Sequence, residues 1–257
     1  MHHSHIDLFA LGNSPVHRFD ARAKLVVVIA YTVVLISFDR YAVTALAPML
    51  LLPLAMLWFG RIPTWFALRR VLILSPFILF LCLLSPWYDR VPHAVTIGPW
   101  RFVTTGGWLT AADIAVKFTL GVLSLTALMS TTPFAQLLEG MRKLGVPRML
   151  VTQLGFLYRY LFVLIDEGLR LKRGRDFRGA ALAPAGRRLR AVGGMIGHLF
   201  VHTLDRSERI YTAMCARGYR GEWHGLNTLR FRARDAALLA GVAAYLFLCR
   251  WGGLILR

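Results

Sequence analysis

The sequence predicts an all-α polytopic membrane protein, with about five transmembrane helices and two long helices outside the bilayer. Three observations carry that reading. Of the 257 residues 56% are hydrophobic and only 17% charged, with a mean hydropathy of +0.53. Soluble domains carry about a quarter of their residues as charges. The apolar residues come in long blocks rather than in short amphipathic elements. The charge is one-sided, 31 Lys and Arg against 13 Asp and Glu, and the basic residues fall between the blocks. So apolar a chain is not intrinsically disordered. It is not a disulfide-stapled secreted domain either, because two of its three cysteines, Cys82 and Cys249, lie inside apolar runs. Long apolar blocks also exclude a cationic nucleic-acid-binding domain.

The elements follow in order. The opening MHHSHIDLF lacks the basic-then-apolar pattern of a signal peptide. Leu25–Phe38 is short for a span, but Lys24 and Arg22 can snorkel and extend it back to Ala21. Tyr41–Phe59 and Val71–Trp87 are uncharged throughout. Pro48, Pro53, Pro76 and Pro86 are expected to kink these two spans. The Pro86–Thr105 loop, rich in Pro, Gly and Trp, reads as a short extended hairpin. Gly107–Ser130 is the fourth span and holds Asp113 and Lys117, a favourable i,i+4 pair read as self-neutralising. Ala236–Trp251, interrupted only by Arg250, is the last.

Orientation follows from the positive-inside rule. Arg18, Arg22 and Lys24 at the N-terminus, and Arg61, Arg69 and Arg70 in the Gly60–Arg70 loop, outnumber the single Arg40 and the pair Arg90 and Arg101 on the opposite side. The N-terminus and the Gly60–Arg70 loop are therefore expected in the cytoplasm of a plasma-membrane protein. Ala135–Arg234 holds 19 of the 31 basic residues against seven acids, so it too is expected to stay cytoplasmic. Arg148–Ile165 within it is nearly apolar enough to cross, yet crossing would export that charge. It is read as embedded in the inner leaflet or packed on other helices. The expected division is 1–134, a leader and four spans; 135–234, the cytoplasmic helices, with 149–165 partly embedded; and 235–257, the final span.

Two helices dominate the cytoplasmic region, one over about Met149–Phe177 and one over about Arg187–Ala216. Along the second, Ile196, Leu199, Thr203, Ser207, Ile210 and Met214 recur at helical spacing, while His198, His202, Arg206 and Arg209 fall on another face. Both end in Arg-Gly: Arg178-Gly179 and Arg217-Gly218. Glycine just past a helix is a cap, and a cation there meets the negative end of the helix dipole. One such end means only that. Two, on consecutive basic helices, point to guanidiniums that fork onto carboxylates or carbonyls of a docked subunit, in competition with anionic lipid. Gly193, Gly194 and Gly197 remove side chains early in the second helix. Three glycines so close weaken a helix by about 1 kcal/mol each unless close packing compensates. The two helices are therefore expected to cross there, at a wide angle, and to diverge toward their tips.

The helix-ending Ala216-Arg217-Gly218, in SERIYTAMCARGYRG, resembles the second Ala-Arg-Gly signature of the transmembrane T components of energy-coupling-factor transporters. LYRYLFVLIDEGLRLKRGRDFRG resembles the first, with Phe177 where alanine is usual and Arg178-Gly179 kept. NSPVHRFDARAKL, Asn13–Leu25, resembles the cobalt/nickel (CbiQ-type) branch. The resemblance covers almost the whole chain. It implies a non-catalytic subunit that binds two ATP-binding subunits through coupling helices and holds a substrate-binding membrane subunit, in an importer for cobalt or, next, nickel. Arg178, Gly179, Ala216, Arg217 and Gly218 are then the ATPase-contact residues, with no cofactor and no nucleic-acid partner.

The chemistry missing from the sequence agrees. No G-x-x-x-x-G-K-[ST], G-x-G-x-x-G or H-E-x-x-H occurs, so ATP-driven work must come from another subunit. His198 and His202 stand four apart without an evident third ligand and read as surface. Met1-His2-His3-Ser4-His5 has the makings of a square-planar Cu(II) or Ni(II) site. It reads instead as a polar leader, on the wrong side to receive an imported ion. A self-contained secondary transporter or channel is the rival, but no internal repeat is visible. A membrane enzyme would need a catalytic cluster near a span end, and none is seen.

Overall fold

The structure, a computed structural model, describes residues 12, 14–39, 46–88, 92–97, 100–179, 184–221 and 231–255. The His-rich leader Met1–His5, Asn13, Arg40, the first part of the expected second span at Tyr41, and Arg90 lie outside the described residues. The chain divides into two compact units, Met1–Gly140 with Thr228–Arg257, and Met141–Asn227.

The first unit is a helical bundle with one hairpin. Helix α1 (Ala21–Ile36) starts at Asp20, whose carboxylate accepts from the Arg22 N–H at 2.9 Å. A 3₁₀ turn at Pro48–Leu50 leads into α2 (Leu51–Gly60), then come α3 (Thr64–Tyr88), strands β1 (Pro92–Ile97) and β2 (Trp100–Thr105), α4 (Gly106–Thr131), α5 (Phe134–Lys143) and, from the far end of the sequence, α8 (Ala233–Ile255). The expected hairpin is present: β1 and β2 pair antiparallel, Pro92 opposite Thr105 and Ile97 opposite Trp100.

Two boundaries differ from the sequence reading. Within the described part of Tyr41–Phe59 the α-helix starts only at Leu51, after a 3₁₀ turn at Pro48–Leu50, where proline has no N–H to give a preceding turn. The Gly60–Arg70 segment is not all loop. Arg61, at φ 54, stops α2, and α3 begins at Thr64, which brings Arg69 and Arg70 inside the helix. Arg70 lies over the Phe66 ring at 4.7 Å.

The core gathers Val27, Tyr31, Leu35 and Phe38 from α1 and its end, Leu46, Met49 and Leu52 around the turn, Leu120 of α4 and Leu246 of α8. Tyr31 donates its hydroxyl to the Met49 carbonyl at 3.0 Å, which satisfies the one polar atom it buries. Helix α4 is central, packed on α1, α2 and α3. The Cys82 thiol and Ser85 hydroxyl of α3 reach its Ala111 and Gly107 carbonyls at 3.3 and 3.1 Å. Asp113 and Lys117 form the expected ion pair at 2.9 Å, and Lys117 also donates to the Phe38 carbonyl at 2.7 Å. Helix α3 turns nearly all its apolar side chains outward, with Ala67 alone buried over Thr64–Trp87. A helix so long, apolar and uncovered has the composition of a membrane span.

Among the described residues three helices are long and apolar enough to cross a membrane: α3, α4 and α6 (Arg148–Phe177). At 16 residues α1 is shorter than the ~20 a span needs, and α2 has only ten.

At one end of this unit three helix termini are tied together. The Asp235 carboxylate accepts from the Asp20 N–H at 2.9 Å and from the Arg232 N–H at 2.8 Å, so it caps the starts of α1 and α8 at once. The Lys24 ammonium, almost fully buried, donates to the Thr131 carbonyl at 2.8 Å and the Thr132 hydroxyl at 3.3 Å, at the negative end of α4.

Candidate functional site

The second unit is built on two long helices, α6 (Arg148–Phe177, 30 residues) and α7 (Ala185–Ala216, 32 residues). Each begins directly after a proline, Pro147 and Pro184, in a position where the missing N–H has no intrahelical role. Each ends where the sequence placed its Arg-Gly. Arg217 is the C-cap of α7, and Gly218 takes φ +84, the left-handed turn that costs glycine least. The Gly218 N–H donates to the Cys215 carbonyl at 2.9 Å and the Tyr219 N–H to the Met214 carbonyl at 3.0 Å, the paired bonds of a Schellman cap. At the other tip Arg178 is the C-cap, Gly179 has φ +73, and its N–H donates to the Asp176 carbonyl at 3.1 Å.

These caps fix the arginine backbones and leave the side chains out. Both Arg178 and Arg217 are exposed, and neither guanidinium has a hydrogen-bond or ion-pair partner among the described residues. Their neighbours differ. Arg175 forks onto Asp176 at 2.7 and 3.0 Å, and Arg170 pairs with Glu167. Phe177, the residue set against the family's alanine, is 90% exposed, so the ring is almost uncovered among the described residues. Ala216 is exposed in the last turn of α7.

The expected close approach at the glycine cluster is not found within the chain. A Cβ added at Gly193, Gly194 or Gly197 meets nothing within 4 Å. Among the glycines of the pair, Gly168 of α6 does face the other helix, since a Cβ there would stand 3.9 Å from Leu199 Cδ2. Gly168 is one of three spaced glycines in α6 and draws no notice in the sequence, while its neighbour Leu199 follows closely on Gly197.

Sequence reasoning also missed an apolar cleft of about 350 Å³ between the two helices. Phe156, Tyr160 and Leu164 line it from α6, with Ile210, Tyr211 and Met214 from α7 and Tyr219 beyond the cap. The signal was available in part: a Schellman cap commonly brings its outer residue against the third from the end, here Tyr219 and Met214. Cys215, bonded to the Tyr211 hydroxyl, pushes that phenol above its ordinary range.

Little of the pair is covered. Not one side chain of α7 is buried, and only Val151 is buried on α6. Leu157, Leu161, Ile196, Phe200 and Val201 all lie exposed. The His198 and His202 rings meet edge to face at 4.3 Å, and among the described residues no group of three metal-ligating side chains occurs.

Residues 12–226 match the family model CbiQ, described as a cobalt transport protein. The energy-coupling factor transporter transmembrane protein EcfT of Leuconostoc gelidum is 30% identical, over 84% of this chain and 83% of the relative. The protein of the same name from Listeria innocua is 27% identical over 93% of this chain and 94% of its own length. The cobalt transport protein CbiQ of Salmonella typhimurium is 26% identical over 65% of this chain and 76% of its own.

Proposed function

Since this chain belongs to the CbiQ family and is the transmembrane T component of an energy-coupling-factor transporter, we propose that it couples two partner ATPases to a substrate-binding membrane subunit. The observation that carries the reading is the pair of tips: two long helices, each ending in an exposed, unpaired arginine on a glycine cap of positive φ. A guanidinium held this way spends none of its donors among the described residues, and it can fork onto acceptors of a docked subunit. The uncovered apolar faces of α6 and α7 are the surface on which ATPase closure pushes and the substrate-binding subunit rests. The chain itself does no catalysis. The N-terminus and the α6–α7 pair lie on the cytoplasmic side, where ATP is. Cobalt is the cargo best supported, through the family's description and the Salmonella relative, with nickel next.

Arg217→Glu tests this. Losing one charge-assisted fork to a partner costs about 1.5–3 kcal/mol, so ATPase retention in a pull-down falls at least tenfold while membrane insertion is unchanged. Combining it with Arg178→Glu is worse than either alone. Normal retention and transport in the double variant would reduce the tips to simple caps. Metal uptake by the chain alone in vesicles would favour a self-contained transporter instead.

A further inference from the structure

We propose that the first unit holds one anionic phospholipid, its phosphate among Arg18, Arg61, Arg232 and Arg234 and an acyl chain in the apolar groove beside them. These arginines line a cavity of about 350 Å³ where the starts of α1 and α8 meet the end of α2. Its one carboxylate, Asp235, is already committed, since its two oxygens accept from the Asp20 and Arg232 amides. Asp20, next to it, caps the Arg22 N–H. The four guanidiniums have no hydrogen-bond or ion-pair partner among the described residues. Four cations face a single carboxylate in this cavity, so it keeps a net positive charge and suits a multiply accepting anion, and a phosphate fits the guanidinium fork. Arg61 adds to this. It sits at φ 54, in the left-handed region that glycine adopts most easily, yet the position carries the longest cation available.

A second cavity distinguishes a lipid from a free anion. A groove of about 320 Å³ adjoins the first, with Pro15 and Phe19 lining both. Beyond them it is bounded by the apolar Val27, Leu52, Met56 and Leu238 and by Lys24, whose ammonium is held by Thr131 and Thr132. A basic mouth opening onto an apolar groove along three helices has the two-part chemistry of a phospholipid. Basic pockets between helices at the cytoplasmic face commonly bind anionic headgroups. The inference rests on the membrane orientation proposed above, but not on the ATPase contacts.

The test uses the purified full chain in neutral detergent, with dioleoylphosphatidylglycerol, dioleoylphosphatidylcholine, glycerol 3-phosphate or inorganic phosphate, read by native mass spectrometry. The expected result is one retained phosphatidylglycerol and no retained phosphatidylcholine. Each near-surface arginine contributes about fivefold in affinity. Arg61→Gln with Arg234→Gln therefore weakens retention by more than tenfold, while the same positions as lysine largely restore it. Arg187→Gln with Arg188→Gln, on α7, changes nothing. Ala55→Trp, which fills the groove, also reduces retention. Three results overturn the proposal: phosphatidylglycerol held undiminished by the double glutamine variant, displacement by glycerol 3-phosphate or inorganic phosphate as effective as by the lipid itself, or stoichiometric displacement by a partner ATPase. The last would make the cavity a protein interface. An intact lipid result alongside failed ATPase pull-downs would sink the coupling reading alone.

Discussion

Replacing Asp235 with alanine measures how firmly the starts of α1 and α8 are joined. The carboxylate takes the Asp20 and Arg232 amides at 2.9 and 2.8 Å and is itself only 3% exposed. Hydrogen bonds to a charged acceptor contribute about 1.5–3 kcal/mol each. The two amides fare differently once it is gone. Arg232 is exposed and its N–H can turn to water, whereas Asp20 is buried and its N–H is left unsatisfied. Removing a negative charge from two helix N-termini adds about 0.5 kcal/mol. Together the alanine variant should lose about 3–5 kcal/mol, which for a chain of this size lowers Tm by about 10 °C. Asp235→Asn keeps one oxygen and should lose about half as much. Thermal unfolding of the detergent-purified full chain reads the stability, and amide exchange at residues 20 and 232 reads the site. The reasoning fails if alanine falls within about 1 kcal/mol of the parent, or if asparagine is as damaging as alanine.

Three further outcomes follow from the packing. Lys24→Met removes the donor to Thr131 and Thr132 and leaves Asp20 and Asp235 buried without their cation, so it should destabilise by about 2–4 kcal/mol in the same melt; a neutral result would mean the ammonium is dispensable. Gly218→Ala places a Cβ at φ +84 and should cost about 1–2 kcal/mol, seen as faster exchange at the Gly218 and Tyr219 amides with the rest of the chain unmoved. Gly194→Leu meets open space and replaces a poor helix former, so the isolated chain should gain up to about 1 kcal/mol; loss of stability there would reveal a contact inside the chain.

Helix positions were legible because their signals are local. The helical periodicity and the Arg-Gly that follows each of α6 and α7 mark ends that the structure places within two residues of the expected ones. The hairpin at Pro92–Thr105 was legible from its Pro, Gly and Trp content for the same reason. What resisted reading was long-range. Nothing in the spacing of Asp20, Lys24, Thr131 and Asp235 says that they share one corner, since their partners lie more than 100 residues apart. The glycine cluster misled because a missing side chain shows where a neighbour is allowed, and not where one stands. The kink expected at Pro48 is, in the described part, a 3₁₀ turn that runs straight on into α2.

The bareness of α7 makes its stability a matter of mass action. A helix of 32 residues with no fully buried side chain takes little from its own chain beyond intrinsic propensity and a half-buried seam on α6, and three of its residues, Gly193, Gly194 and Gly197, lower that propensity. Whatever binds the ordered helix and not the frayed one adds RT ln(1 + [L]/Kd) to its stability. The helix is then firm in proportion to the free concentration of its occupant, and its melting belongs to the assembly as much as to the sequence.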